Sequence, residues 1–359
     1  MSSNRDTERL PVALDAMGGD IGPSVNVEGA VQAVREDGAT AILVGDENAL
    51  NAELDRLGAS SLIGKGLSVR HAPEVVLMDD KPAIAVRKKK ASSMRVTCDL
   101  VKQGEACAAL SAGNSGAMMA MALFAIGRIR GVLRPCIAAF LPTGHTNRFG
   151  LLVDAGANTD CTPEQLFQFG VMGAAYVEHA WGVDNPVIGV GSNGHEETKG
   201  TDVTREARDL LEQTDYSCKG FVEPLEGIRG DVAVFVVDGF LGNMLLKAAE
   251  GSAVFMTDAI KGAYKDAGLI GKLGGLLSMG VFNGLKKKFD PREYGAAPLL
   301  GLNGPAFIAH GSSDAYTLRR AIGVAQRDAK RAVPEHISEA ILATKPILEA
   351  NDKPKEAAG

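Results

Sequence analysis

The chain has 359 residues, 45% of them hydrophobic, and a formal net charge of −6 at pH 7. That length and composition suffice for a large core, and an acidic balance without a basic arm argues against nucleic acid as a partner. No apolar stretch reaches the ~18 residues that a membrane span needs.

Cys98, Cys107, Cys136, Cys161 and Cys218 are an odd number and form no CxxC pair. With no signal-peptide pattern at the start of the chain, they read as reduced thiols of a cytoplasmic protein, packed as small hydrophobes.

In chain order, the polar residues 1–9 read as a flexible tail. Strand-like runs follow at VALDA (12–16), AILVGD (41–46), LSVRHA (67–72), ACAALSAG (106–113), CIAAFLPT (136–143), GLLVDAG (150–156), PVIGVG (186–191), DVAVFVVDG (231–239) and AFIAHG (306–311). Most alternate with helical patterns, which predicts an α/β fold with a largely parallel sheet. No linker divides the chain, so residues 10–350 read as a single domain, with 351–359 as a second flexible tail.

Residues 244–290 interrupt the alternation and predict two helices joined near Gly268, a protruding hairpin. Its second half sets apolar residues, Leu273, Leu276 and Leu277 among them, beside Lys286, Lys287 and Lys288. Apolar side chains next to a lysine cluster point to contact with an anionic membrane surface. A face packed on a partner subunit is the alternative.

Five strand-like runs end in turns of small residues that carry Asp, Asn, Ser or His: 15–20, 111–117, 154–158, 238–243 and 310–315. A parallel sheet would gather such turns at the carboxyl ends of its strands, where backbone N–H groups at helix N-termini receive anions, phosphate above all. Gly189, Gly191 and Gly194 spell the dinucleotide fingerprint GxGxxG after a strand. HEETKG follows where a helix should open, and the expected acid comes late.

The motifs LDAMGGDIGPS (14–24), KPAIAVRKKKASSM (81–94), SAGNSGAMMA (111–120), DAGAN (154–158), HEETKG (195–200), DGFLGNMLLK (238–247) and PLLGLNGPAFIAHGSSDA (298–315) lie in one order along the chain. Across about residues 11–345 it resembles the bacterial phosphate acyltransferases of phospholipid synthesis. The resemblance implies a three-layer α/β/α fold like that of phosphotransacetylases and isopropylmalate dehydrogenases, and a homodimer at the inner face of the membrane. It implies acyl transfer from acyl-[acyl carrier protein] to orthophosphate, with a membrane glycerol-3-phosphate acyltransferase as a further partner. Two places depart from the family pattern: Ser115 stands where Thr is usual, and His195 falls in the usual N-I-G-E-E segment.

Attack of phosphate on a thioester requires an anion site, a stabilised oxyanion and little help for the leaving thiol. Lys199 is the first candidate for phosphate or oxyanion stabilisation, His310 for proton transfer, and Asn243 joins them as a catalytic candidate. Asp15, Gly18, Gly19, Asp20, Ser111, Gly113, Asn114, Ser115, Asp154, Asn158, Glu197, Lys247 and Ser312 are candidates for binding phosphate or shaping its loops. Arg87, Lys88, Lys89 and Lys90 form the densest positive run, suited to an acidic carrier protein. No histidine cluster has metal-ligand spacing, so neither a metal nor a cofactor is expected. Three rivals stand beside this reading: a phosphotransacetylase-like enzyme using acyl-CoA, an NAD-dependent dehydrogenase and a membrane-surface scaffold.

Overall fold

The computed structural model describes residues 10–142, 149–288 and 290–351. The expected tails 1–9 and 352–359 lie outside the described residues, as do the side chains of Lys286, Lys287 and Lys288.

The first half of the chain forms β1 (Val12–Asp15), α1 (Pro23–Asp37), β2 (Ala41–Gly45), α2 (Glu47–Arg56), β3 (Leu67–His71), α3 (Pro82–Lys88), α4 (Ser93–Lys102), β4 (Ala108–Ser111) and α5 (Ser115–Ala125). Then come β5 (Cys136–Pro142), β6 (Phe149–Val153), α6 (Pro163–Trp181), β7 (Ile188–Gly191), α7 (Asp202–Leu211), β8 (Cys218–Val222), α8 (Pro224–Arg229) and β9 (Val234–Val236). The chain continues through α9 (Gly239–Asp266), α10 (Gly268–Lys288), β10 (Ala297–Leu300), β11 (Ala306–Ile308), α11 (Ala315–Lys330) and α12 (Val333–Asn351). Asn351 therefore ends a helix rather than opening a tail.

Eleven strands make one sheet, in the order β3-β2-β1-β4-β11-β10-β5-β6-β9-β7-β8. Their apolar runs are buried on both faces because helices cover both. Val12 and Leu14 pack towards Val27 and Ala30 of α1 and Leu318 of α11. On the opposite face, Ala109 packs with Met94 and Cys98 of α4 and Met118 of α5. In the second half Leu151 and Val153 meet Phe167 and Val171 of α6, while Leu152 and Phe235 face Leu245 and Leu246 of α9. The three-layer expectation is met.

The sheet is largely parallel, as expected, with antiparallel pairings only around β10 and β5. β10 is antiparallel to both β11 and β5, and β5 is antiparallel to β6. Strands β3, β2, β1, β4, β11 and β5 therefore run one way, and β10, β6, β9, β7 and β8 the other.

The hairpin is present and starts earlier than predicted, at Gly239. Its helices meet at Gly268 (φ 64°). Tyr264 packs edge-on against Phe282 at 5.7 Å and reaches the Ser278 hydroxyl at 3.4 Å, tying α10 to the end of α9. At the tip Leu269 and Ile270 are 85% and 86% exposed. Among the described residues no helix is long and apolar enough to cross a membrane.

Candidate active site

Three of the predicted turns form one cluster. Asp15, buried at the end of β1, accepts a hydrogen bond from Ser111 Oγ (2.7 Å) at the end of β4. Ser111 Oγ in turn accepts from Gly113 N at 3.0 Å. A Cβ at Gly18 would stand 2.9 Å from Gly113 N, so only glycine lets these two turns touch. Gly19 lies against the Gly311 carbonyl, which accepts from Asp20 N at 2.8 Å. Burial pushes the Asp15 carboxyl above its ordinary range, against the pull of the nearby Ser93 and Ser111 hydroxyls. The Ser93 hydroxyl, though close enough to act on that carboxyl, makes no formed hydrogen bond. Asp15 is thus a loop anchor, not a ligand for an anion.

Asn114 caps α5, its Oδ1 accepting from Ala117 N at 3.0 Å. Its amide donates to the carbonyls of Met78 (2.8 Å) and Asp80 (3.0 Å), so it is not free to donate to phosphate as expected. Ser115, the first helical residue, is exposed and leaves the α5 N-terminus open. His310 Nδ1 accepts from Ser312 N at 3.2 Å and lies 2.7 Å from Ser312 Oγ. A backbone N–H can only donate, so in the neutral ring the proton sits on Nε2. The exposed edge of the imidazole is a donor.

The other turns form a second cluster. Asp154 is buried, after a cis Val153–Asp154 peptide, and burial raises its pKa. Its carboxylate accepts from Ile137 N, Gly156 N, Ala157 N, Asn158 N and Asn158 Nδ2 at 2.6–3.2 Å. Asn158 Nδ2 also donates to Pro135 O at 2.9 Å. Asn243 of α9 lies over Gly156, and one turn on Lys247 is exposed, paired with Glu250 at 2.8 Å. On a separate turn, after β7, Lys199 lays its alkyl chain over Gly194, and Arg205 clamps that turn by donating to the carbonyls of Lys199 (3.2 Å) and Gly200 (2.8 Å). Among the described residues the Lys199 ammonium has no carboxylate partner. Glu197 is exposed beside it.

Because strand direction reverses across β10 and β5, the turns after β1, β4 and β11 leave the sheet in the opposite strand sense to those after β6, β9 and β7. The expectation that one parallel sheet gathers all five is corrected on this point. Among the described residues no hydrogen bond or ion pair joins the clusters. What spans them is the hairpin. The base of α9 sits on the second cluster, with Gly239 N donating to Asn158 O at 2.7 Å. The segment after α10 binds the first through Arg292 and Asp314 at 2.9 Å.

One further sequence expectation changes, and the objection to the GxGxxG pattern stands. Lys89 turns inward, donating to Val75 O (2.8 Å) and pairing with Asp80, so only Arg87, Lys88 and Lys90 of the positive run are exposed. Gly189 and Gly191 lie inside β7, where a Cβ would meet Val222 at 2.3 Å and Val237 at 2.5 Å; α7 opens only at Asp202. The GxGxxG pattern reflects strand packing and delivers no helix N-terminus to a cofactor. Sequence reasoning missed Asn26, whose buried amide ties Ala16 O, Gly18 O and Gly22 O together, and Arg205, which an i+6 spacing from Lys199 alone does not reveal. Among the described residues no group of three or more His, Cys, Asp or Glu is arranged to hold a metal.

A three-layer sheet whose strands end in polar, glycine-bearing turns defines a mostly parallel α/β protein. The family described as "Fatty acid synthesis protein" matches residues 10–336. The phosphate acyltransferase of Syntrophotalea carbinolica is 46% identical over 336 residues, 94% of each chain. A phosphotransacetylase from Streptococcus pyogenes superposes with TM-score 0.62 at 18% identity, covering 91% of this chain and 96% of its own. The EutD phosphotransacetylase from Staphylococcus aureus gives 0.58 at 16%, covering 92% and 100%. These two likenesses bear on the fold. The chain belongs to the fatty acid synthesis protein family, that of the bacterial phosphate acyltransferases.

Proposed function

We propose that this protein transfers a fatty acyl group reversibly from acyl-[acyl carrier protein] to orthophosphate, supplying acyl phosphate for glycerophospholipid synthesis. The observation that carries the reading is the first cluster: three locked turns, an open α5 N-terminus and an imidazole whose donor edge is exposed. Such a cradle suits an oxyanion, and the reading calls on no protein nucleophile. A phosphate oxygen attacks the thioester carbonyl, the C–O bond forms, and the C–S bond breaks as the thiolate leaves and takes up a proton. His310 Nε2–H donates a hydrogen bond to phosphate or to the departing sulfur and keeps its proton, while the thiolate is protonated from water. Ser115, Ser312 and the α5 N-terminus hold phosphate. Asn243 and Lys247 of the second cluster, with Lys199 on the turn after β7, supply a donor and positive charge for the developing oxyanion, which requires both clusters to face one bound substrate.

In the same reading residues 10–350 form one domain, needing neither cofactor nor metal. Arg87, Lys88 and Lys90 receive the acidic carrier protein. The protein is a cytoplasmic homodimer, held peripherally at the inner membrane face by the hairpin's apolar side, where a membrane glycerol-3-phosphate acyltransferase takes the product.

The deciding assay is thiol release from palmitoyl-[acyl carrier protein] with and without orthophosphate, beside palmitoyl-CoA. Phosphate-dependent release that prefers the carrier protein is expected. A preference for palmitoyl-CoA would make the chain phosphotransacetylase-like. Release that ignores phosphate would mark a thioesterase, and no release from either donor would refute the reading.

A further inference from the structure

The segment that follows the hairpin is fastened to the His310 turn with unusual completeness. Arg292 Nε donates to both oxygens of Asp290 (2.9 and 3.0 Å) and Nη2 to its Oδ2 (2.6 Å), while Nη1 donates to Asp314 Oδ2 at 2.9 Å. Asp290 stands two positions beyond the end of α10. Asp314 stands two beyond Ser312, the residue that holds the His310 ring. The other oxygen of Asp314 accepts from Thr317 N (2.9 Å) and Thr317 Oγ1 (2.6 Å), capping α11. Thus one guanidinium bridges the carboxylate at the foot of the hairpin to the carboxylate that sets the start of α11.

Neighbouring contacts leave little slack. Glu293 accepts from Tyr316 OH at 2.5 Å and pairs with Arg320 at 3.5 Å. Gly295 lies so close to α11 that a Cβ there would stand 2.3 Å from Ala321 N. A shift of α10 therefore reaches residues 310–316 through short polar links, with Arg292 the link nearest the imidazole.

We propose that Arg292 is a positioning residue: it sets the His310–Ser312 turn from the foot of the hairpin, so that the placement of the hairpin governs the geometry of the phosphate cradle. The inference rests on His310 acting in the reaction above. Arg292 touches no reacting atom in this scheme. It works by holding Asp314, and its bidentate fork makes the bridge directional in a way that a lysine would not.

The test uses the full chain with Arg292→Ala, Arg292→Lys and Asp290→Asn, the last of which weakens only the hairpin's end of the bridge. Two readouts are taken: amide hydrogen exchange over residues 310–316, and the kcat and KM for phosphate-dependent thiol release. Arg292→Ala is expected to speed exchange in that segment and lower kcat by roughly 10- to 100-fold. KM for the acyl donor should stay near wild type, and added guanidinium ion should restore part of the loss. Arg292→Lys and Asp290→Asn should fall between. Wild-type exchange and kcat in Arg292→Ala, alongside an inactive His310→Gln, would overturn the inference and leave the site reading intact. Loss in Arg292→Ala with a wild-type Asp290→Asn would also overturn it, because the hairpin's end would then be irrelevant. If the wild type shows no phosphate-dependent release, the reading of the site fails instead, and unchanged exchange at 310–316 would then refute the coupling by itself.

Discussion

Gly242 offers the sharpest test of how the hairpin is seated. It lies in the first turn of α9, where helix propensity alone favours alanine over glycine by about 1 kcal/mol. A Cβ at that position would stand 1.9 Å from the carbonyl oxygen of Asp154, more than 1 Å inside van der Waals contact. The carbonyl cannot retreat cheaply, because the Asp154 side chain is held by donors from Ile137, Gly156, Ala157 and Asn158. Overpacking of this kind costs about 1–3 kcal/mol, and a contact this short against backbone belongs at the upper end. The net expectation for Gly242→Ala is a loss of about 2 kcal/mol. With ~2.1 cal/mol/K of unfolding entropy per residue, a chain of this length loses roughly 3 °C in Tm. Gly323→Ala is the control: Gly323 is exposed within α11 with nothing within 4 Å of its would-be Cβ, and it should gain about 1 kcal/mol. Differential scanning calorimetry at one fixed protein concentration compares the two. If Gly242→Ala proves as stable as Gly323→Ala, α9 does not stand on the Asp154 turn and the bridging role of the hairpin falls with it.

Lys199→Ala should lower phosphate-dependent thiol release by roughly 100- to 1000-fold with Tm unchanged; near-normal turnover would remove Lys199 from the chemistry. Exchanging Arg87, Lys88 and Lys90 for Glu should raise KM for the carrier-protein substrate about tenfold and flatten its salt dependence, at constant kcat. Lys89→Glu should instead destabilise the fold in urea titrations, since it breaks the contacts to Asp80 and Val75. The raised pKa of Asp15 means that the native state binds more protons than the unfolded one between the unfolded value near 3.8 and the raised one. Wild type should therefore gain urea resistance relative to Asp15→Asn as pH falls through that window, and a difference that shrinks on acidification would contradict the burial argument. Burial pushes the Cys107 and Cys161 thiols up to about 12, and Cys98 and Cys136 are raised still more firmly. Ellman's reagent at pH 8 should label at most the half-buried Cys218 until denaturant is added; rapid labelling of several thiols would show that the core is more open than described.

Several features were legible because local chemistry fixes them. The runs VALDA and DVAVFVVDG are apolar throughout and bounded by turn residues, and both became strands buried on two faces. The stretch around Gly268 had helical periodicity and one residue able to take a positive φ, and the hairpin turned there. β8 and β10 escaped for the opposite reason. CKGFV carries Lys219 and Gly220 on an edge strand, and APLL is four residues with a proline, so neither presents a run that stands out from loop.

The gathering of all five turns at one end of the sheet was the costlier miss, yet part of its reason was written in the chain. Only residues 143–148 separate Pro142 from Phe149. A parallel crossover needs a dozen or more residues, usually a helix, so CIAAFLPT and GLLVDAG had to pair antiparallel. That one inference reverses the second half of the sheet and divides the turns into two clusters. The remaining step could not be taken from spacing. Asp290, Arg292 and Asp314 look like ordinary surface charges in the sequence, separated by a whole β10–β11 excursion. Their meaning depends on the base of a long hairpin and the start of α11 arriving at the same place. A site assembled this way is specified by tertiary packing, and its residues become recognisable only once the elements that carry them are seen to touch.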